Sequence, residues 1–174
     1  MRIATIGLCD PGYSEDAART QHDRSVAGLK GLVKDIVDVG LQPDERLAEV
    51  AILELKKTHA VNPFDALVLM QVAWARPAVV LQVVRAFPDL PMLVYSPGSR
   101  IEDGMIHSIA PAAGAGSTVP VLRRHGIQFK YVWSAPGQVI DESKFIPFLR
   151  AAAAARKLKG AKLGMIGFGD MRLQ

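Results

Sequence analysis

The sequence holds a single cysteine, Cys9. No internal disulfide can staple the fold, which agrees with a reducing compartment. No apolar run approaches the roughly 20 residues that a membrane span needs. Met1-Arg2-Ile3-Ala4-Thr5-Ile6-Gly7 enters a strand pattern directly, without the basic, apolar and cleavage regions of a secretory leader. A cytoplasmic protein with no membrane partner is expected. His22, His59, His107 and His125 show neither the spacing of a helix metal site nor a neighbouring carboxylate cluster, so no metal is expected within this stretch. The formal net charge of +4 is dispersed, and the pairs Lys56-Lys57 and Arg123-Arg124 fall at predicted helix ends, where the dipole favours cations. That dispersion argues against nucleic acid as a partner.

What is present is a run of strand and helix patterns. Asp65 leads into Ala66-Leu67-Val68-Leu69-Met70, an unbroken apolar stretch that reads as a strand buried on both faces. Around it the chain predicts a first strand at Arg2–Leu8 and a helix over Asp16–Lys34 with His22, Val26, Leu29 and Val33 on its inner face. A short strand at Asp35–Val39 follows, closed by Gly40. A second helix starts at Pro43-Asp44, with Leu47, Val50, Ala51 and Leu55 as its inner stripe. After the central strand, Arg76-Pro77 opens a third helix that buries Val80, Val83, Val84 and Phe87 and stops at Pro88. Pro91–Tyr95 is a fourth strand. Between Gly104 and Gly126, Pro111 and Pro120 predict a loop and then a helix ending at Arg124 with Gly126 as its cap. Gln128–Trp133 is a fifth strand, and Asp141 caps a last helix that faces Phe145, Phe148, Leu149 and Ala152 inward and stops at Gly160.

Five strands, each followed by a helix, predict a three-layer, doubly wound α/β domain over residues 1–160, with a parallel sheet in the flavodoxin-like order 2-1-3-4-5. Lys162–Ile166 and Gly167-Phe168-Gly169 then read as the opening strand and turn of a second α/β domain, truncated within 161–174. Ligands of such sheets lie at the carboxyl ends of the strands. That places Asp10 and Tyr13 after the first strand, Gln71 and Trp74 after the third, and His107 in the loop region after the fourth, all as candidate ligand contacts. The positions that a phospho-receiver domain fills with acids and a lysine hold Cys9-Asp10, Gln71 and Ser134, and Pro11-Gly12-Tyr13-Ser14 makes a poor phosphate cradle. Cys9 lacks a second cysteine for racemase-type chemistry and reads as a packed thiol. Gly167-Phe168-Gly169 begins a dinucleotide fingerprint, but Arg172 occupies its third glycine position.

Through Pro91-Met92-Leu93-Val94-Tyr95, and again from Phe145 through the alanine tract Ala151–Ala155 to Gly160-Ala161-Lys162-Leu163-Gly164-Met165-Ile166-Gly167, the chain resembles the L-fucose and L-arabinose isomerase family. The resemblance implies the amino-terminal domain of a homo-oligomeric aldose–ketose isomerase, whose strand-end loops help to close the sugar pocket of a neighbouring subunit. It implies Mn²⁺ for the full-length protein, held in a later domain, and no catalytic group here. By position Trp74 matches the family's aromatic residue after the third strand, and Asp10–Tyr13 match a loop that carries a polar sugar contact. Ala110–Gly116 departs from the glutamine and histidine that arabinose isomerases place there. The other reading open to the sequence is a ligand-binding or regulatory α/β module, for a nucleotide or small molecule, ahead of a Rossmann-type domain.

Overall fold

The computed structural model describes residues 1–138, 140–162 and 164. Along the chain lie β1 (Arg2–Leu8), α1 (Glu15–Leu32), β2 (Asp35–Gln42), α2 (Glu45–Val61), β3 (Ala66–Gln71), α3 (Pro77–Ala86), β4 (Met92–Ser96), β5 (Arg100–Glu102), β6 (Met105–His107), α4 (Pro111–Arg124), β7 (Lys130–Trp133) and α5 (Glu142–Lys159). Five strands form one parallel sheet in the order β2-β1-β3-β4-β7, the flavodoxin-like order expected. Most of the second-domain strand expected at Lys162–Ile166, namely Leu163, Met165 and Ile166, and the glycine turn after it lie outside the described residues.

Alternation along the strands divides the core into two layers. Ala4, Ile6, Leu67, Leu69 and Val94 face α2, α3 and α4, while Ile3, Val68, Met70, Leu93 and Tyr95 face α1 and α5. Every residue of β3 and β4 is buried, which is why their sequences are apolar without alternation. Burial of each large aliphatic side chain contributes about 1.5–3 kcal/mol. Ser14 caps α1 by accepting from Ala17 N–H, Asp44 caps α2 through Leu47 N–H at 2.8 Å, and Asp141 caps α5 through Ser143 N–H.

Four details differ from expectation. In α2 the buried stripe is Ala48, Ala51, Ile52 and Leu55, whereas Leu47 and Val50 are exposed. The stripe keeps helical spacing but starts one position later, its place on the wheel going to small alanines rather than larger side chains. Strand β2 continues through Gly40, whose φ of +74° sits beside a register shift between Thr5 and Gly7 in the pairing with β1, as in a bulge. Strand β7 starts at Lys130 rather than Gln128. The fourth concerns the span after β4, which is a β-hairpin followed by one helix. Asp103 and Gly104, with φ of 51° and 74°, make the two-residue turn of the hairpin. Pro111 stands in the first turn of α4, where a missing N–H costs nothing, and Pro120 lies on its exposed face with Gly116 one turn earlier. The carbonyl that Pro120 leaves without its usual donor is therefore on the water side, and the helix continues.

Candidate functional site at the carboxyl edge of the sheet

The exits of β1, β3, β4 and β7 meet along one edge. In the first, Asp10 Oδ1 accepts from Gly12 N–H at 2.9 Å, and Tyr13 N–H donates to Asp10 O at 3.1 Å, a tight turn anchored by its own carboxylate. The other carboxylate oxygen lies 3.6 Å from Arg76 Nε, and Arg76 Nη2 reaches Glu45 at 3.0 Å. One guanidinium thus ties the β1 exit, the β3 exit and the start of α2. Tyr13 is partly buried against the α1 and α5 layer.

At the end of β3, Gln71 is buried and both ends of its amide are occupied. Its Nε2 donates to Ala73 O, and its Oε1 accepts from Thr118 Oγ1, each at 3.2 Å. Gly114 makes room for it, since a Cβ there would stand 2.8 Å from Gln71 Nε2 and 2.8 Å from Ala73 O. Gln71 is a strut between β3 and α4, behind the crevice rather than on its wall. Trp74 is half-buried at the edge itself, and its backbone N–H donates to Ile109 O at 3.3 Å.

The β4 exit is fixed more tightly. A Cβ at Gly98 would lie 2.0 Å from Ala135 O, so only glycine lets this loop pass under the β7 exit. Gln21 of α1 donates its Nε2 to Gly98 O at 3.0 Å, and Gly137 N–H donates to Ser99 O at 2.8 Å. From this base the hairpin rises. Arg100 pairs across it with His107, and Ser99 and Ser108 join their hydroxyls at 3.0 Å at its neck. Arg100 Nη1 binds Glu102 at 2.9 Å, while His107 Nε2 is 4.0 Å from the same carboxylate. A cavity of about 180 Å³ opens under the hairpin, lined by Gln21, Ser99, Arg100, His107, Ser108 and Ile109 among others. Along the hairpin, Ile101, Met105 and Ile106 are 51%, 60% and 62% exposed.

The five positions picked from sequence therefore separate. Asp10, Trp74 and His107 stand at the edge with exposed surface, Tyr13 is packed beside it, and Gln71 is internal. Sequence reasoning passed over Arg76, Gln21, Ser99, Arg100 and Ser108. The Asp103-Gly104 pair between apolar neighbours is the signal that finds the hairpin. Burial, with Asp10 and Glu15 nearby, pushes the Cys9 thiol up to about 11, which leaves it protonated and without nucleophilic character at neutral pH. Among the described residues no group of three or more His, Cys, Asp or Glu side chains is placed to hold a metal, and no helix is long and apolar enough to cross a membrane. No protein-family model matches the chain, and no curated protein matches it in sequence.

Proposed function

We propose that the chain is a pocket-closing and subunit-packing domain of an aldose–ketose isomerase-like protein, inert alone, acting in a homo-oligomer on a small sugar. The observation that carries this reading is the combination, on one sheet edge, of a partly exposed Trp74, the Asp10–Arg76 pair and a projecting hairpin with three exposed apolar side chains. An indole offers a flat apolar surface with one polar handle, suited to the C–H face of a sugar. Asp10 and Arg76 supply an acceptor and a donor for hydroxyl groups beside it. Ile101, Met105 and Ile106 give the edge an apolar contact for the neighbouring subunit.

Among the described residues, the side chains at this edge do not fit Mn²⁺. The two carboxylates that meet at the edge, Asp10 and Glu45, share the Arg76 guanidinium. On this reading the metal ion and the proton-moving groups belong to another domain, and this chain binds, orients and excludes water. The test is sugar turnover by the full-length protein with and without Trp74→Ala. A fall in turnover with an unchanged melting temperature supports the proposal; unchanged turnover overturns it.

The second reading, a small-molecule-binding or regulatory module, is favoured by the polar cavity under the hairpin. Ligand binding by the chain on its own distinguishes it from a domain that works only against a partner.

A further inference from the structure

We propose that the cavity beneath the hairpin is a binding site for a short hydroxycarboxylate, with Arg100 taking the carboxylate and the Gln21 amide oxygen accepting from the hydroxyl. The register of the hairpin sets Arg100 directly opposite His107, so both project from the same face, and both line the cavity together with Ser99 and Ser108. Gln21 forms its inner wall and is only 4% exposed. Its Nε2 donates to Gly98 O at 3.0 Å, and its amide oxygen is the acceptor that Gln21 offers the cavity it lines. An amide oxygen on a cavity wall accepts from a hydroxyl group.

Charge narrows the ligand further. Glu102 occupies Arg100 Nη1 from one side, leaving the guanidinium's remaining N–H groups for a planar acceptor. Because Glu102 cancels the formal charge of Arg100, a singly charged carboxylate is matched better than a phosphate dianion. A neutral polyol would leave the guanidinium fork without its best partner. His107 Nε2, at 4.0 Å from Glu102, is not held by it and faces the same space. Ala17 and Ile109 give the cavity two apolar contacts for a carbon chain. Its 180 Å³ is below the roughly 300 Å³ at which sites for drug-sized ligands begin, so the ligand has about three or four carbons. The walls come from α1, the β4 exit and the hairpin, three elements already fixed to one another by Gly98 and Gln21, so the site is formed before the ligand arrives.

The proposal rests on the second reading above, to which it gives a ligand class, and it does not use Trp74 or Arg76, so its failure and that of the isomerase reading are distinguishable. The experiment is a titration of the chain with D-glycerate, followed by calorimetry and by the backbone amide signals of Ser99, Arg100, His107 and Ser108. Propionate, glycerol and inorganic phosphate serve as comparators. Saturable glycerate binding that shifts those signals is expected. Propionate, without hydroxyls, and glycerol, without a carboxylate, should each bind about tenfold more weakly or worse. Arg100→Gln should weaken glycerate by a similar factor, and because Arg100 lies on a projecting hairpin, the melting temperature of that variant should match the parent. His107→Asn is a second variant that spares Gln21 and the loop it holds, and it too should weaken binding. The proposal is overturned if glycerate fails to bind, if glycerol or phosphate binds as tightly, or if Arg100→Gln leaves the affinity unchanged.

Discussion

The two edges of the sheet are built on opposite plans. At the amino edge, buried Asp65 accepts from the Arg2 backbone N–H at 2.8 Å and from Arg156 of α5, while the Arg2 guanidinium lies over Phe64 at 5.4 Å and reaches Asp35 at 3.3 Å. This edge carries a cavity of about 440 Å³, where apolar residues such as Phe64, Phe87 and Leu90 stand beside Lys56, Asp65 and Arg156. The cavity under the hairpin at the carboxyl edge is smaller, about 180 Å³, and polar side chains line it, Gln21, Arg100 and His107 among them. The amino edge is closed by an ion-paired carboxylate that joins β1, β3 and α5, whereas the carboxyl edge sets Arg100 and His107 on the wall of an open cavity.

If that division is right, Asp65→Ala should have the largest effect on stability and none on glycerate binding. It removes a buried acceptor of two charge-assisted or backbone bonds, and a loss of about 2–3 kcal/mol is expected in urea unfolding. Gly98→Ala comes next. The new methyl group would meet Ala135 O at 2.0 Å, so the β4 exit must shift, costing about 1–3 kcal/mol and displacing the hairpin. It should therefore impair both stability and the carboxyl-edge cavity, which distinguishes it from Asp65→Ala.

The pH dependence of unfolding sharpens the contrast again. Burial lowers the pKa of His22 from its ordinary 6.5, with Asp38 opposing at 3.2 Å. The folded state thus binds a proton less readily than the unfolded chain, and stability present above pH 6.5 is lost as the pH falls below it. For Asp65, burial pushes the carboxyl up, but the bonds from Arg156 and Arg2 outweigh it and hold the carboxyl below its usual range. Its contribution is present above pH 3.8 and is lost as the pH falls through the depressed folded value. His22→Gln should flatten the first decline and spare the second, as read by urea midpoints across the pH range.

The sheet order was legible in sequence, because β1, β3 and β4 are apolar runs separated by helical patterns, whereas the Asp65–Arg156 contact of the amino edge joins residues 91 positions apart. The α2 stripe was not, since Ala48 and Leu47 compete for the inner face and only packing against α3 and the sheet decides between them. The carboxyl edge was legible as a place but not as a set of contacts. Gln21 reads as one more polar residue of α1 until Gly98, 77 positions later, arrives beneath its amide. Gln71, at a strand's end, reads as a crevice residue until Thr118 and Ala73 occupy it. The hairpin strands are three residues each, too short for alternation to announce them, and only the Asp103-Gly104 turn marks them.

Smallest in its effect on stability, and most direct as a test, is the truncation of Trp74. Thermal melting of the chain with and without Trp74→Ala asks whether the indole is set out for a ligand or spent on packing. The account predicts a midpoint change of no more than about 2–4 °C, corresponding to about 1 kcal/mol for a chain of this size. A loss of about 3–5 kcal/mol, the cost of emptying a core aromatic site, would contradict it and return Trp74 to the interior.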